Sequence, residues 1–157
     1  MSGKTSKDYV YVGVQLLLFI AYLLLPAHRL AFLPGLLRYP ALVILALGLW
    51  IVGLALWQLG RSLTIYPSPK EDANLKTGGL YAWMRHPIYT GVILSAVGWA
   101  LFGQSGSQVL VALALWGLFY FKSRYEEERL LRQYGEAYAQ YQHKVGRLFP
   151  KRSPNSR

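Results

Sequence analysis

Cysteine is absent from this 157-residue chain, and charged residues are scarce. The lack of cysteine excludes disulfides, thiol nucleophiles and thiolate metal sites. Asp, Glu, Lys and Arg make up 15% of the residues, well below the roughly 25% that is usual in soluble domains. The hydrophobic residues, 54% of the chain, are gathered into long runs. These features predict a single membrane domain over residues 1–157, because uncharged runs of this length suit a bilayer.

Acidic residues are the scarcer of the two charged classes, with 7 Asp and Glu against 17 Lys and Arg. A net charge of +10 is compatible with nucleic-acid binding, but no recognition motif is present. The basic residues instead flank the apolar runs, which is typical of membrane topology signals and of contacts with anionic lipids. We therefore expect membrane lipids and not nucleic acid as partners.

Four apolar segments predict an all-α integral membrane protein with about four transmembrane helices. The predicted spans are residues 9–27, 39–60, 87–102 and 107–121. The last two come from one uncharged run that is too long for a single crossing, and the turn-forming sequence GQSGSQ divides it into a short helical hairpin.

The polar segments predict the topology and a cytoplasmic amphipathic helix. A long loop, residues 61–86, is expected to fold back on the membrane surface, and residues 122–145 continue as an amphipathic helix with a break near Gly135. With four spans and a cytoplasmic N-terminus, 15 of the 17 Lys and Arg lie on the cytoplasmic side, and only Arg29 and Arg38 lie on the other. This bias places both termini and the candidate site in the cytoplasm.

The junction between the long loop and the third span, GGLYAWMRHPIYTG, carries the first cluster of candidate residues. Proline is favoured at the first helical position, so Pro87 is expected to begin a helix that His86 caps. The N–H groups of Ile88 and Tyr89 have no partner inside that helix, and Arg85 adds a cation. Such a helix start favours anions, so the junction is expected to bind one end of a charged cofactor.

A second cluster, Arg124 with Glu126, Glu127 and Glu128, follows the hairpin. The hairpin returns the chain to the same membrane surface, so the two clusters can meet. Three consecutive glutamates cannot all face one site, and we expect Glu126 or Glu127 to face solvent. His86, His143 and the glutamates lack the close ligand spacing of a metal site, so no metal is expected.

The two motifs in combination, GGLYAWMRHPIYTG and SRYEEERLLRQYGEAYAQYQHKVGRLFP, resemble the isoprenylcysteine carboxyl methyltransferase family. That family itself resembles membrane phospholipid methyltransferases. The resemblance covers about residues 61–150, whereas the first two spans are similar only in being hydrophobic.

The resemblance implies an integral membrane enzyme that uses S-adenosyl-L-methionine, with residues 61–150 as the cofactor-binding region. It implies Arg124 and Glu128 as catalytic residues, with Arg124 binding the substrate. The implied cofactor-binding residues are Ala73, Asn74, Leu75, Lys76, Tyr81, His86, Pro87, Ile88, Tyr89 and Glu128. Ala73 stands where eukaryotic members have a histidine, so a contact there comes from the backbone or is missing.

The expected function is O-methylation of a lipidic or prenylated carboxylate that enters from the bilayer. A phospholipid amine or a thiol would fit the same site as the methyl acceptor. Two other classes stay open: a membrane reductase that uses NADPH, and a non-enzymatic membrane adaptor. Binding of S-adenosylhomocysteine but not NADPH would separate the expected enzyme from the reductase, and either cofactor would exclude the adaptor.

Overall fold

The computed structural model describes residues 5–26, 28, 36, 38–60 and 75–151. Regular structure in these ranges is helical, apart from a single parallel bridge between Met84 and Gly146. The α-helices are α1 (Ser6–Leu24), α2 (Arg38–Leu59), α3 (Pro87–Phe102), α4 (Gly106–Tyr134) and α5 (Glu136–Lys144), with a 3₁₀ turn at Gly79–Ala82. The predicted all-α architecture is confirmed for the described residues.

Helix α1 begins earlier than the predicted span because Thr5 and Asp8 form a capping box. The Thr5 N–H donates to Asp8 Oδ2 at 2.7 Å, and the Thr5 side chain accepts from the Asp8 N–H. Reciprocal bonds of this kind satisfy donors that would otherwise be unpaired at a helix start. Asp8, which precedes the predicted span 9–27, is therefore part of the helix.

Helices α1 and α2 are long and apolar enough to cross a membrane, and α3 is a shorter apolar helix. Helices with this composition can also belong to a soluble core, but here most of each apolar window is exposed, with 6% of it buried in α1 and 17% in α2. Exposed leucine and valine on this scale suit contact with lipid. The helices therefore indicate an integral membrane protein, and the number and orientation of the spans stay predictions.

Each helix packs on its neighbours in the order α1, α4, α3, α2. Helices α2 and α3 form the most extensive pair. A Cβ atom on Gly48 would lie 2.5 Å from the Ser95 backbone nitrogen, and one on Gly98 would lie 2.5 Å from the Leu45 nitrogen. These two glycines allow a backbone approach that larger residues would prevent, as is common between membrane helices.

The predicted hairpin and its helical continuation are confirmed. Ser105 caps α4 by accepting a hydrogen bond from the Gln108 N–H at 3.3 Å. Helix α4 then continues past the apolar run to Tyr134, and Gly135 breaks the helix with a φ of +54°, as expected from the cost of glycine within a helix. At 1.5 Å per residue the 29-residue helix is about 44 Å long, so its C-terminal end extends beyond a bilayer core of about 30 Å.

Helix α5 and the residues after it pack against the segment before α3. Leu75 packs against Tyr138 and Tyr141, and the Tyr141 hydroxyl donates to the Tyr81 carbonyl at 2.5 Å. The predicted fold-back of the loop on the membrane concerns residues 61–86, of which 61–74 lie outside the described residues. For the described part, protein contacts with α5 fix its position.

Candidate functional site

The N-terminus of α3 is held by the C-terminal segment of the chain. Pro87 is the first helical residue and His86 the N-cap, as predicted. The Arg85 N–H donates to the Gly146 carbonyl at 2.8 Å, and the His86 N–H donates to the Arg147 carbonyl at 3.0 Å. These two bonds continue the Met84–Gly146 bridge, so the segment that carries His86 is fixed by backbone pairing.

Glu127 of α4 is the centre of a buried ion network. Its Oε1 accepts from Arg85 Nε at 2.9 Å and lies 3.1 Å from His86 Nε2. Its Oε2 accepts from Arg147 Nε at 3.0 Å and Nη2 at 2.8 Å. Burial alone would raise the pKa of Glu127, but the hydrogen bonds from His86 and Arg147 and the charge of Arg85 outweigh it and hold that pKa at about 2. Glu127 is therefore an ionised structural carboxylate.

Glu126, the preceding residue, has the opposite electrostatic character. Its Oε2 accepts a hydrogen bond from the Tyr89 hydroxyl at 2.9 Å and lies 3.5 Å from His86 Nδ1. Burial raises the pKa of Glu126, against the opposing effects of His86 and of the Tyr89 hydrogen bond. Neighbouring carboxylates whose pKa values are shifted in opposite directions commonly have separate roles, so Glu126 is the reactive candidate of the pair.

Lys122 lies one helical turn before Glu126, and only 2% of its surface is exposed. Its ammonium donates to Gln15 Oε1 of α1 at 2.6 Å and lies 5.4 Å from the centre of the Tyr89 ring. The Tyr89 ring stacks between His86 and Phe119, with ring centres 5.4 and 4.6 Å away. A buried cation, a carboxylate and a column of aromatic rings therefore meet at the junction of α1, α3 and α4.

Two of the predicted site residues lie elsewhere on α4: Arg124 and Glu128 are exposed. At 100° per residue, Arg124 and Glu128 each lie two positions from Glu126, about 160° around the helix and so on nearly the opposite side. The expectation that Glu126 or Glu127 faces solvent is wrong, because Glu127 is 3% exposed and Glu126 contacts Tyr89. Roles for Arg124 and Glu128 stay predictions, without contacts to this cluster.

A cavity of about 450 Å³ lies between the end of α2 and the 3₁₀ turn that precedes α3. It is lined by Trp57, Gln58, Lys76, Gly78, Gly79 and Tyr81. Pockets for small ligands commonly measure about 300–1,000 Å³. Burial and then the charge of Glu126 raise the pKa of the Tyr81 hydroxyl. Tyr81, which lines the cavity, therefore interacts electrostatically with Glu126.

The structure thus brings together some of the predicted cofactor residues and not others. His86, Pro87, Ile88 and Tyr89 form the first turn of α3, next to the cluster, whereas Lys76 and Tyr81 line the cavity. Leu75 instead packs against α5. Ala73 and Asn74 lie outside the described residues.

The predicted preference of this helix start for an anion finds little support in the charges around it. Arg85, the flanking cation, is already paired with Glu127 at 2.8 Å. Two carboxylates face the N-terminus of α3, where the helix dipole stabilises them. Glu127 is engaged by Arg85, His86 and Arg147, so Glu126 is the carboxylate left to meet a cationic ligand.

Sequence reasoning missed Lys122, Gln15 and Arg147. One signal was available for Lys122: it is the first charge after the apolar run and stands four residues before Glu126, the same spacing as Arg124 and Glu128. For Arg147 and Gln15 no local pattern exists, because their partners lie 20 and 107 residues away. Among the described residues, no group of three or more His, Asp or Glu is arranged to hold a metal ion.

Comparison with known proteins identifies the family of this chain. The family model described as phospholipid methyltransferase matches residues 37–137. The protein-S-isoprenylcysteine O-methyltransferase of Schizosaccharomyces pombe is 34% identical over 123 residues, which are 76% of this chain and 52% of that protein. The methanethiol S-methyltransferase of a Pseudomonas strain is 32% identical over 83 residues, 53% of this chain and 31% of that protein.

A solved structure, that of the eukaryotic intramembrane Ras methyltransferase ICMT (isoprenylcysteine carboxyl methyltransferase), has the same fold. It superimposes with a TM-score of 0.68 at 25% identity and covers 95% of this chain and 54% of that one. The chain thus spans about half the length of these isoprenylcysteine methyltransferases. The predicted resemblance is confirmed, and the chain belongs to the phospholipid methyltransferase family, with its isoprenylcysteine methyltransferase members among its relatives.

Proposed function

We propose that this protein is a membrane methyltransferase that uses S-adenosyl-L-methionine to methylate the carboxylate of a lipidic or prenylated compound. The observation that carries the proposal is the contact of Tyr89 with Glu126 at 2.9 Å, next to the buried ammonium of Lys122. It places a carboxylate, which suits a sulfonium, beside a cation, which suits a carboxylate. The isoprenylcysteine methyltransferases among its relatives support the same acceptor.

The charges and aromatic rings of these residues suit S-adenosyl-L-methionine. Glu126 and the ring of Tyr81 would hold the positively charged end, because burial of a charge is costly unless it is paired. Lys76 lines the adjoining cavity and would meet the carboxylate of the methionine part. When bound, the cofactor supplies an electrophilic methyl group on a sulfonium, so no metal and no covalent enzyme intermediate is needed.

Each residue of the site has a part in orienting the reaction. Lys122 would bind the acceptor carboxylate, and Glu126 would balance the charge of the sulfonium until transfer. Glu127 acts on the site indirectly, by fixing the His86 ring that stacks on Tyr89. Lys122 and Glu126 would thus hold an acceptor oxygen in line with the methyl group that the bound cofactor would supply.

The balance of that reaction suits this site. A carboxylate and a sulfonium become a neutral ester and a neutral thioether, and no proton moves. The protein therefore needs to position its two substrates in line and does not need a general base. A thiol acceptor would have to lose a proton, for which Glu126, with its raised pKa, is the available group.

We also propose the finer membrane arrangement: four spans, both termini cytoplasmic, and the site at the cytoplasmic surface. The excess of Lys and Arg on that side supports it. Single cysteines introduced into the otherwise cysteine-free chain would report the topology by their labelling from either side of sealed vesicles.

The test of the activity is transfer of a labelled methyl group from S-adenosylmethionine by the purified protein in detergent. N-acetyl-S-farnesylcysteine, methanethiol and phosphatidylethanolamine vesicles serve as the competing acceptors. Base-labile label on the farnesylcysteine supports carboxylate methylation, and label on another acceptor moves the assignment to that chemistry. No label on any of them, with stabilisation by NADPH, would move the protein to the reductase class.

A further inference from the structure

The 3₁₀ turn that carries Tyr81 is attached to α2 by a glutamine side chain. Gln58 stands in the last turn of α2, and its Oε1 accepts a hydrogen bond from the Leu80 N–H at 2.9 Å. That N–H belongs to the start of the 3₁₀ turn, where backbone donors have no partner inside the turn itself. Gln58 therefore caps the turn from another helix, although the sequence alone predicts only a membrane span there.

Gly79, the residue before Leu80, allows the Gln58 amide to lie against the backbone of the turn. Its φ is +62°, a conformation that favours glycine. A Cβ atom on Gly79 would lie 2.5 Å from Gln58 Nε2 and 2.6 Å from Gln58 Oε1. A larger residue at this position would displace the amide that bonds Leu80, so the contact depends on both Gly79 and Gln58.

Helix α2 is a fixed support for Gln58. Six residues before Gln58, Val52 packs closely on α3: a Cβ atom on Gly91 would lie 2.6 Å from Val52 Cγ2 and 2.9 Å from the Val52 nitrogen. The turn is also held from α5, since the Tyr141 hydroxyl donates to the Tyr81 carbonyl at 2.5 Å. Two hydrogen bonds from two different helices therefore act on adjacent residues of the turn.

The cavity of about 450 Å³ lies between these same elements, and both Gln58 and Tyr81 line it. The bond from Leu80 to Gln58 therefore sets the spacing of the two walls and the place of the neighbouring Tyr81 ring. A binding element that is fixed before its ligand arrives does not have to be ordered on binding, which strengthens the affinity. Loss of the Gln58 bond should thus weaken the ligand that Tyr81 contacts.

We propose that Gln58 is a positioning residue for the cofactor: it holds the turn so that the Tyr81 ring meets the positively charged end of S-adenosyl-L-methionine. This inference rests on the proposed function, and it gives α2 a part in cofactor binding. Because the turn carries a proposed cofactor residue and none proposed for the acceptor, we expect the effect of Gln58 in the cofactor affinity and not in the acceptor KM.

The experiment compares Gln58→Met with Gln108→Met, because each change removes a glutamine that bonds the backbone of another element, one at the cavity and one at the start of α4. Calorimetry in detergent gives the affinity for S-adenosyl-L-methionine, and steady-state transfer at saturating cofactor gives the KM of N-acetyl-S-farnesylcysteine. We expect Gln58→Met to bind the cofactor about fivefold more weakly, the effect of losing one neutral hydrogen bond, with the acceptor KM within about twofold of wild type. Gln108→Met should leave both quantities unchanged.

Two further variants isolate the hydrogen bond. Gln58→Glu keeps an oxygen within reach of the Leu80 N–H and should restore the cofactor affinity to within about twofold of wild type, whereas Gln58→Asn is one carbon too short and should bind as weakly as Gln58→Met. Gln58→Asn also decides the matter if Gln58→Met does not fold.

Three results would overturn the positioning role: an unchanged cofactor affinity in Gln58→Met or Gln58→Asn, an affinity of Gln58→Glu as low as that of Gln58→Met, or equal losses in Gln58→Met and Gln108→Met. In each of these cases the wild-type protein still binds S-adenosyl-L-methionine, so the proposed function stands. If the wild-type protein itself does not bind the cofactor, the proposed function fails and the role of Gln58 falls with it.

Discussion

Replacing Glu127 with glutamine tests the ion network that holds the candidate site. The carboxylate accepts from Arg85 and Arg147 and lies 3.1 Å from His86 Nε2, and the Arg85 side chain is only 8% exposed. A glutamine amide keeps the shape but removes the charge and turns an NH₂ group toward one of these donors. Removing one partner of a buried ion pair costs about 3–5 kcal/mol, because the remaining charges stay buried without compensation. At roughly 2–4 °C per kcal/mol for a chain of this size, Glu127→Gln should lower the melting temperature by about 10 °C.

The assay is thermal unfolding of the purified protein in detergent, followed by intrinsic tryptophan fluorescence. Glu128→Gln is the matched control, since it makes the same change on the next residue, which is exposed. Exposed substitutions of this kind usually change stability by less than about 0.5 kcal/mol, so its melting temperature should stay within about 2 °C of wild type. Equal shifts in the two variants would refute the assignment of Glu127 as the buried centre of the network.

Three further outcomes follow from the same contacts. Because folding lowers the pKa of Glu127 from 4.5 to about 2, its contribution to stability is complete above pH 4.5 and is lost as the pH falls toward 2. The wild-type protein should therefore lose about 3 kcal/mol more stability over that range than Glu127→Gln, measured by chemical unfolding. Parallel pH profiles of the two proteins would contradict this. Gly48→Val should separate α2 from α3 and destabilise the protein by at least about 1–3 kcal/mol in thermal unfolding, because its Cβ would lie 2.5 Å from the Ser95 nitrogen, whereas Gly53→Val, with open space around its Cβ, should not. Tyr141→Phe removes the donor to the Tyr81 carbonyl and should cost about 1–3 kcal/mol, and a value near zero would show that this bond does not hold the turn.

Local patterns in the sequence were enough to predict where the helices around the site begin and end. Pro87 locates the start of α3 because proline suits the first helical position, and the turn near Ser105 separates two helices because one helix could not contain the whole run. Gly135 marks the end of α4 because glycine is poor within a helix. In each case the physical cause acts within a few residues, so it can be recognised without knowing the fold.

The side of α4 that faces the site could not be obtained in this way. Arg124 with Glu128 and Lys122 with Glu126 have the same spacing, and packing against α1 and α3 distinguishes the two sides of the helix. The segment that ends with Arg147 matters through backbone bonds to residues about 60 positions earlier, which no local pattern encodes. The sequence therefore predicts which clusters meet, and tertiary packing selects the residues within each cluster.

The most direct test of the central claim is the affinity of S-adenosylhomocysteine for three forms of the protein, measured by calorimetry in detergent. Our account predicts that the wild-type protein binds it, that Glu126→Gln binds it about tenfold or more weakly, and that Glu128→Gln binds it like the wild type. Absence of binding to the wild-type protein would contradict the claim that this is a methyltransferase site. Weakened binding in Glu128→Gln with normal binding in Glu126→Gln would show that the cofactor lies on the other side of α4.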